Sequence, residues 1–195
     1  MGVNQVLQGM DTVAYMRLLK DAAKKAAQLI PYQTSLSFDP QRDVDTTKTK
    51  DGGVPTSSSL ETEVEVEFVN NVSVVSDEIY DALLRGEEVE IWILNRKRRN
   101  SAGQYFAWYM RGTVTEDSND NDADDNSTRD VTFSIKGTPV RGWLTLPKEA
   151  QEELDYVFRG VDAVDGEAKN DGTDGGGKAW ETADAGTGTD AEPEA

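Results

Sequence analysis

From residue 60 the chain alternates for nine positions: Glu61, Glu63, Glu65 and Glu67 interleave with Thr62, Val64, Val66 and Phe68. Strand side chains point to opposite faces in turn, so residues 60–69 are predicted to form a strand with one carboxylate face and one mostly apolar face. The same period of two predicts strands at 12–19, 32–38, 88–95, 104–115, 129–136 and 140–146, with a short one at 72–75. In 12–19, Val13, Tyr15 and Arg17 alternate with Ala14, Met16 and Leu18. Residues 76–85 instead show helical spacing, pairing Ile79 with Leu83 and Tyr80 with Leu84. Ser76 is the expected N-cap, Asp77 and Glu78 fill the first turn, and Gly86 takes the C-terminal cap position. A final helix is expected to start near Pro147, with Ala150, Leu154, Val157 and Phe158 on one face. Residues 21–30 read both ways, since their Ala and Lys content favours helix while their flanks favour strand. Strands outnumber helices and turn signals separate them, which predicts a mainly β fold: a β-sandwich or barrel with a flanking α-helix.

Two segments have almost nothing to bury. Residues 39–59 form a long polar stretch, and loops of that length inside a compact domain carry function or stay disordered. From Val161 onward the composition turns to Asp, Glu, Gly, Thr and Ala. Residues 161–195 hold ten acids and two lysines, a net of −8 out of −17 for the chain, leaving −9 for the rest. The expected organisation is a domain at 1–160, with 39–59 as an extended arm, and a flexible acidic tail at 161–195.

Twenty Lys and Arg against 37 Asp and Glu exclude a general nucleic-acid binder and an anionic membrane as partner. With no cysteine and no histidine, disulfides, thiolate or histidine metal sites and His-dependent triads are ruled out. No apolar run is long enough to span a membrane, and the first residues lack the basic and apolar regions of a secretory leader. The order of the carboxylates singles out no pair for glycosidase chemistry. The chain therefore reads as a non-enzyme, with no catalytic residue, metal or cofactor expected.

Three motifs remain. The glutamate comb is either an ordinary solvent-facing strand or an acidic wall, with Glu87, Glu88 and Glu90 extending it on a second strand. Exposed strands usually intersperse Lys to relieve such repulsion, and none is present, which favours the wall. Asp117, Asn119 and Asn121 open like a calcium loop, but Asp122 stands where Gly is required and Thr128 where a bidentate Glu belongs. Arg96, Lys97, Arg98 and Arg99 concentrate positive charge in an expected turn, suited to an acidic surface on a neighbouring copy.

The stretch running through Asp43, Asp45, Thr46, Thr47, Lys48, Lys50, Asp51 and Gly52 is polar, β-branched and ends in an Asp-Gly turn. With Gln8–Asp11 before it and the 76–78 helix start running into Val89–Trp92, Tyr109–Val114 and Phe133–Gly137 after it, the ordered set resembles the major tail tube proteins of bacteriophages with long non-contractile tails, in particular the family named after the lactococcal phage TP901-1. The resemblance covers residues 1–160. It implies six-membered rings stacked into a hollow tube that carries double-stranded DNA to the host without binding it specifically, in a virion tail assembled in the host cytoplasm. It implies a tape measure protein, a tail terminator and a distal tail protein as partners, with the 39–59 arm reaching between rings. For residues 21–30 it implies a strand, a linker and another strand. Glu61, Glu63, Glu65, Glu67, Glu88 and Glu90 become candidate lumen residues. Asp43, Asp45, Thr46, Thr47, Lys48, Lys50, Asp51, Gly52 and Arg96, Lys97, Arg98 and Arg99 become candidate contacts between copies. The rival reading is an acidic β-sandwich adhesin that uses the 117–126 loop for calcium.

Overall fold

The computed structural model describes residues 6–146, 157–164, 166, 168–169 and 171–185. The chain divides into two units, residues 1–145 and 146–195, so the break falls ahead of the composition change at Val161.

Among the described residues the first unit holds ten strands and one α-helix. In chain order they are β1 (Thr12–Leu18), β2 (Gln28–Leu29), β3 (Gln33–Gln41), β4 (Val44–Thr49), β5 (Gly52–Ser57), β6 (Glu61–Val69), α1 (Val74–Arg85), β7 (Glu88–Arg99), β8 (Tyr105–Asp120), β9 (Thr128–Ile135) and β10 (Val140–Leu144). Seven strands pair in the order β2-β1-β7-β8-β9-β6-β3, and β10 joins β8.

The long strand β8 is shared by the two halves of one continuous eight-stranded sheet. Its first half pairs with β7 on one side and β10 on the other, while its second half pairs with β9. Strands that pass from one layer to the other in this way make the corner of a β-sandwich. Gly112 sits at that corner, where a Cβ would lie 2.3 Å from the Ser134 carbonyl oxygen. Only glycine lets the two backbones approach so closely.

The inward faces meet in one core. Ala14, Met16 and Leu18 come from β1, Val64, Val66 and Phe68 from β6, Val89, Ile91 and Ile93 from β7, and Val131, Phe133 and Ile135 from β9. Helix α1 adds Val75, Ile79 and Ala82, one face at helical spacing. Burying each of the larger side chains stabilises the fold by about 1.5–3 kcal/mol.

Helix α1 starts earlier than expected. Ser73, not Ser76, is the N-cap, accepting from the Ser76 backbone N–H at 3.2 Å, so Val74 and Val75 belong to the helix and not to a short strand. At the other end Gly86 adopts φ 65° and closes the helix, as its cap position predicted. Residues 21–30 are not helical: a 3-10 turn at Leu19–Asp21 leads to the two-residue β2 beside β1.

One buried ion pair ties α1 to the sheet. Arg129, 1 % exposed, directs its guanidinium to Asp117 and donates from Nη1 to the Ser76 carbonyl at 3.0 Å. Its guanidinium carbon lies 3.5 Å from the Tyr80 ring centroid and 5.5 Å from that of Phe68.

The expected C-terminal helix lies mostly outside the described residues, and Val157 and Phe158 carry no regular structure. Described parts of the second unit are held by short turns and by backbone bonds that join residues 160–162 to 174–175. Gly160 N–H donates to the Asp174 carbonyl, Asp162 N–H to the Gly175 carbonyl, and Glu181 and Asp184 cap a 3-10 turn.

Candidate functional site

The glutamate comb forms the outer face of β6, with burial alternating along the strand as its sequence predicted. Cross-strand partners extend the face. Glu63 lies between Asp39 on β3 and Ser134 on β9, and Glu65 between Ser37 and Thr132. Glu67 lies between Ser35 and Asp130, while Glu116 and Ser118 on β8 oppose Thr132 and Asp130. The result is a four-stranded polar surface on β3, β6, β9 and the second half of β8, with no Lys or Arg on it. A cleft of about 590 Å³ opens where Asp39, Glu61 and Glu63 converge.

Crowding leaves an electrostatic signature. The Glu65 carboxyl is pushed above the usual carboxylate value, first by a hydrogen bond with Asp130, then by that residue's charge and by partial burial, with Glu63 and Glu67 adding to it. Asp130 Oδ1 has no hydrogen-bond donor. A proton on Glu65 would supply one.

Glu88 and Glu90 behave differently from each other. Glu88 pairs across to Thr113, which pairs with Ser134 and so with Glu63, placing it on the same side of the continuous sheet as the comb. Lys136 bonds to it and lowers its pKa. Glu90 does not join the exposed row. It is 4 % exposed, bonded to Arg17 and to the Tyr109 hydroxyl at 2.6 Å, with Arg111 at 3.7 Å. Neighbouring cations neutralise it, so it adds no charge to a wall.

Residues 42–59 are not structureless. β4 and β5 pair along their whole length around a Lys50–Asp51 turn, and every residue of both strands is exposed. Asp43, Asp45, Thr46, Thr47, Lys48, Lys50, Asp51 and Gly52 thus lie on a hairpin that projects from the sandwich without resting on its core. Val44 and Val54 are exposed there too.

The basic run is not a turn. Arg96, Lys97, Arg98 and Arg99 continue β7 past a bulge, where Asn95 Oδ1 accepts from the backbone N–H of Lys97 and Arg98. The turn is Asn100–Gly103, held by Asn100. Arg98 stacks 3.8 Å above Phe106 and Arg99 4.4 Å above Tyr105.

The calcium reading loses its first ligand. The Asp117 side chain is fully buried against Arg129 and lies within β8, so it cannot open a loop at the hairpin tip. Among the described residues no group of three or more acidic side chains is placed to hold a metal ion. No described helix is long and apolar enough to cross a membrane.

The sequence profile of a family described as "Phage tail tube protein" matches residues 6–141. No curated protein matches the chain. Among solved structures, the SPP1 tail tube is similar with a TM-score of 0.67 at 16% identity, covering 84% of this chain and 96% of that one. The tail of an empty GTA particle, refined with C6 symmetry, gives a TM-score of 0.52 at 11% identity over 72% of this chain and all of that one. The PVC sheath-tube complex of an extracellular contractile injection system gives 0.51 at 15% identity over 73% and 95%.

Proposed function

The chain belongs to the phage tail tube protein family, and from that membership we propose how its surfaces build and line the conduit. Each copy is a structural subunit of a phage tail tube and resides in the virion tail. Copies close into six-membered rings by a head-to-tail contact, and a second contact stacks the rings into a hollow cylinder. The C6 symmetry of the similar GTA tail supports the ring number. Among the described residues the outer edges of β3 and β10 pair with no further strand, and meeting between copies would satisfy both.

The four-stranded acidic face lines the channel. The observation that carries this reading is a polar sheet face that presents Asp39, Glu61, Glu63, Glu65, Glu67 and Glu116 with no Lys or Arg on that face of β3, β6, β9 and the second half of β8. Duplex DNA carries one negative charge per about 1.7 Å of axis, so a carboxylate wall repels it from every side and lets it slide. Glu61, Glu63, Glu65 and Glu67 are the lumen residues, with Glu88 beside them around the corner. The β4–β5 hairpin reaches between rings. A tape measure protein, a tail terminator and a distal tail protein set the length and the two ends, and assembly takes place in the host cytoplasm.

A Glu63→Lys, Glu65→Lys double variant should still form tubes but deliver DNA more slowly in a single-particle ejection assay. Tubes that eject at the normal rate would overturn the lumen assignment. Removing residues 43–58 should leave single rings or monomers, and tubes of unchanged length in electron micrographs would overturn the role of the hairpin.

A further inference from the structure

The two ends of the sandwich differ. At one end, where Thr12 pairs with Asn95 and the hairpin departs, a cleft of about 360 Å³ opens among Leu7, Leu36, Phe38, Ile93, Phe106 and Trp108. Arg98 lines it, exposed Lys97 precedes Arg98 along β7, and the Arg141 guanidinium carbon lies 5.4 Å from the Trp108 ring centroid. The other end carries α1 and the 121–127 turn. Val72 there is fully exposed and Val74 more than half exposed, an apolar shoulder just ahead of the helix. Asn70 holds that shoulder beside the turn, donating from its backbone N–H to the Ser127 carbonyl at 2.8 Å. The turn exposes Asp122, Asp124 and Asp125, and Asp77 opens the helix alongside. Among the described residues none of these four carboxylates has a hydrogen bond or ion pair.

We propose that the cleft receives the Val72–Val74 shoulder of a second copy, with Lys97, Arg98 and Arg141 facing its Asp77, Asp122, Asp124 and Asp125. An apolar hollow rimmed by cations complements an apolar knob rimmed by carboxylates. The two partners sit at opposite ends of one molecule, so the contact is heterologous, and with a rotation that does not close on itself it repeats along an axis, which is what ring stacking needs. The proposal deepens the tube reading above and rests on it.

The absence of cysteine gives a clean background for crosslinking. A Leu7→Cys, Val72→Cys double variant of the full chain is concentrated, treated with a short bismaleimide, and run on a denaturing gel beside each single variant. The same sample is viewed by negative stain. A ladder of trimers and longer species from the double variant, with at most dimers from the singles, is the expected result. Tubes without a ladder overturn this contact and leave the tube reading standing. A ladder without tubes keeps the contact and overturns the tube reading, and neither overturns both. Pairing Leu7→Cys with Val54→Cys tests the alternative occupant, and a ladder only from that pair would assign the cleft to the hairpin of the neighbour and overturn the proposal. Lys97→Glu or Asp124→Lys alone should raise the concentration for half-assembly about tenfold, and mixing the two variants should restore it. Failure of the mixture to recover, when each single variant is impaired, would overturn the charge pairing.

Discussion

Replacing Arg129 by Met tests how the helix is held to the sheet. In the folded protein both side chains of the Arg129–Asp117 pair are fully buried, and Arg129 also donates to the Ser76 carbonyl. Met fills much of the same volume but leaves the Asp117 carboxylate with no counter-ion. Breaking a buried pair from one side costs about 3–5 kcal/mol. The lost stacking over Tyr80 and Phe68 acts in the same direction. With a urea dependence of about 2 kcal/mol per molar, the unfolding midpoint should fall by about 1.5–2.5 M. Dilute monomer followed by tryptophan fluorescence and far-ultraviolet circular dichroism gives that midpoint. Arg129→Lys should fall between, since an ammonium keeps the charge but not the planar two-pronged contact. The double variant Arg129→Met, Asp117→Leu should recover most of the loss, because it removes the stranded charge as well. A single-variant shift below about 0.5 M, or a double variant no better than the single, would refute the reasoning.

Other consequences are smaller or more local. Ser73→Ala should cost about 1 kcal/mol in the same assay. Ser76→Ala should cost less, since its hydroxyl donates only over 3.4 Å to Asn71; the reverse order would return the cap to Ser76. Gly112→Ala should destabilise by about 2 kcal/mol or more, because its methyl would press on the Ser134 carbonyl; an unchanged melting temperature would contradict the close approach. The raised pKa of Glu65 gives stability that is complete below the ordinary carboxylate value and is lost as pH rises through its own value. Glu65→Gln should therefore melt higher than wild type at pH 7.5 and equally at low pH, and a constant difference across pH would count against the Asp130 contact.

Much of this fold was legible because period-two alternation is a direct image of the pleat. The comb in β6 and the core faces of β1 and β7 follow from it position by position. Gly86 and the acidic first turn likewise announced α1. The start of that helix was not legible, because Val74 and Val75 favour strands locally and two serines compete to cap it. The basic run looked like a turn because contiguous cations rarely sit in a strand, but here the Asn95 bulge re-aims them and aromatic rings cover two of them. Asp117 was hidden by a different bulge. Strict alternation from the buried Val114 would point Glu116 inward and Asp117 outward, but the register shift between Val114 and Glu116 exchanges them. No periodic signal in the sequence marks such a shift, so the partner of Arg129 was misread as part of an acidic loop. The 42–59 hairpin had too few apolar residues to show a strand pattern, and its ladder is set by backbone bonds and the Lys50–Asp51 turn.

The sixteen-residue β8 has a mechanical consequence. Because one uninterrupted backbone contributes to both layers, a pull on either layer travels along covalent bonds into the other. The layers therefore cannot slide apart without unzipping a strand from β7, β9 or β10. A wall made of such units would resist outward pressure through its peptide chain and yield first at the seams between molecules.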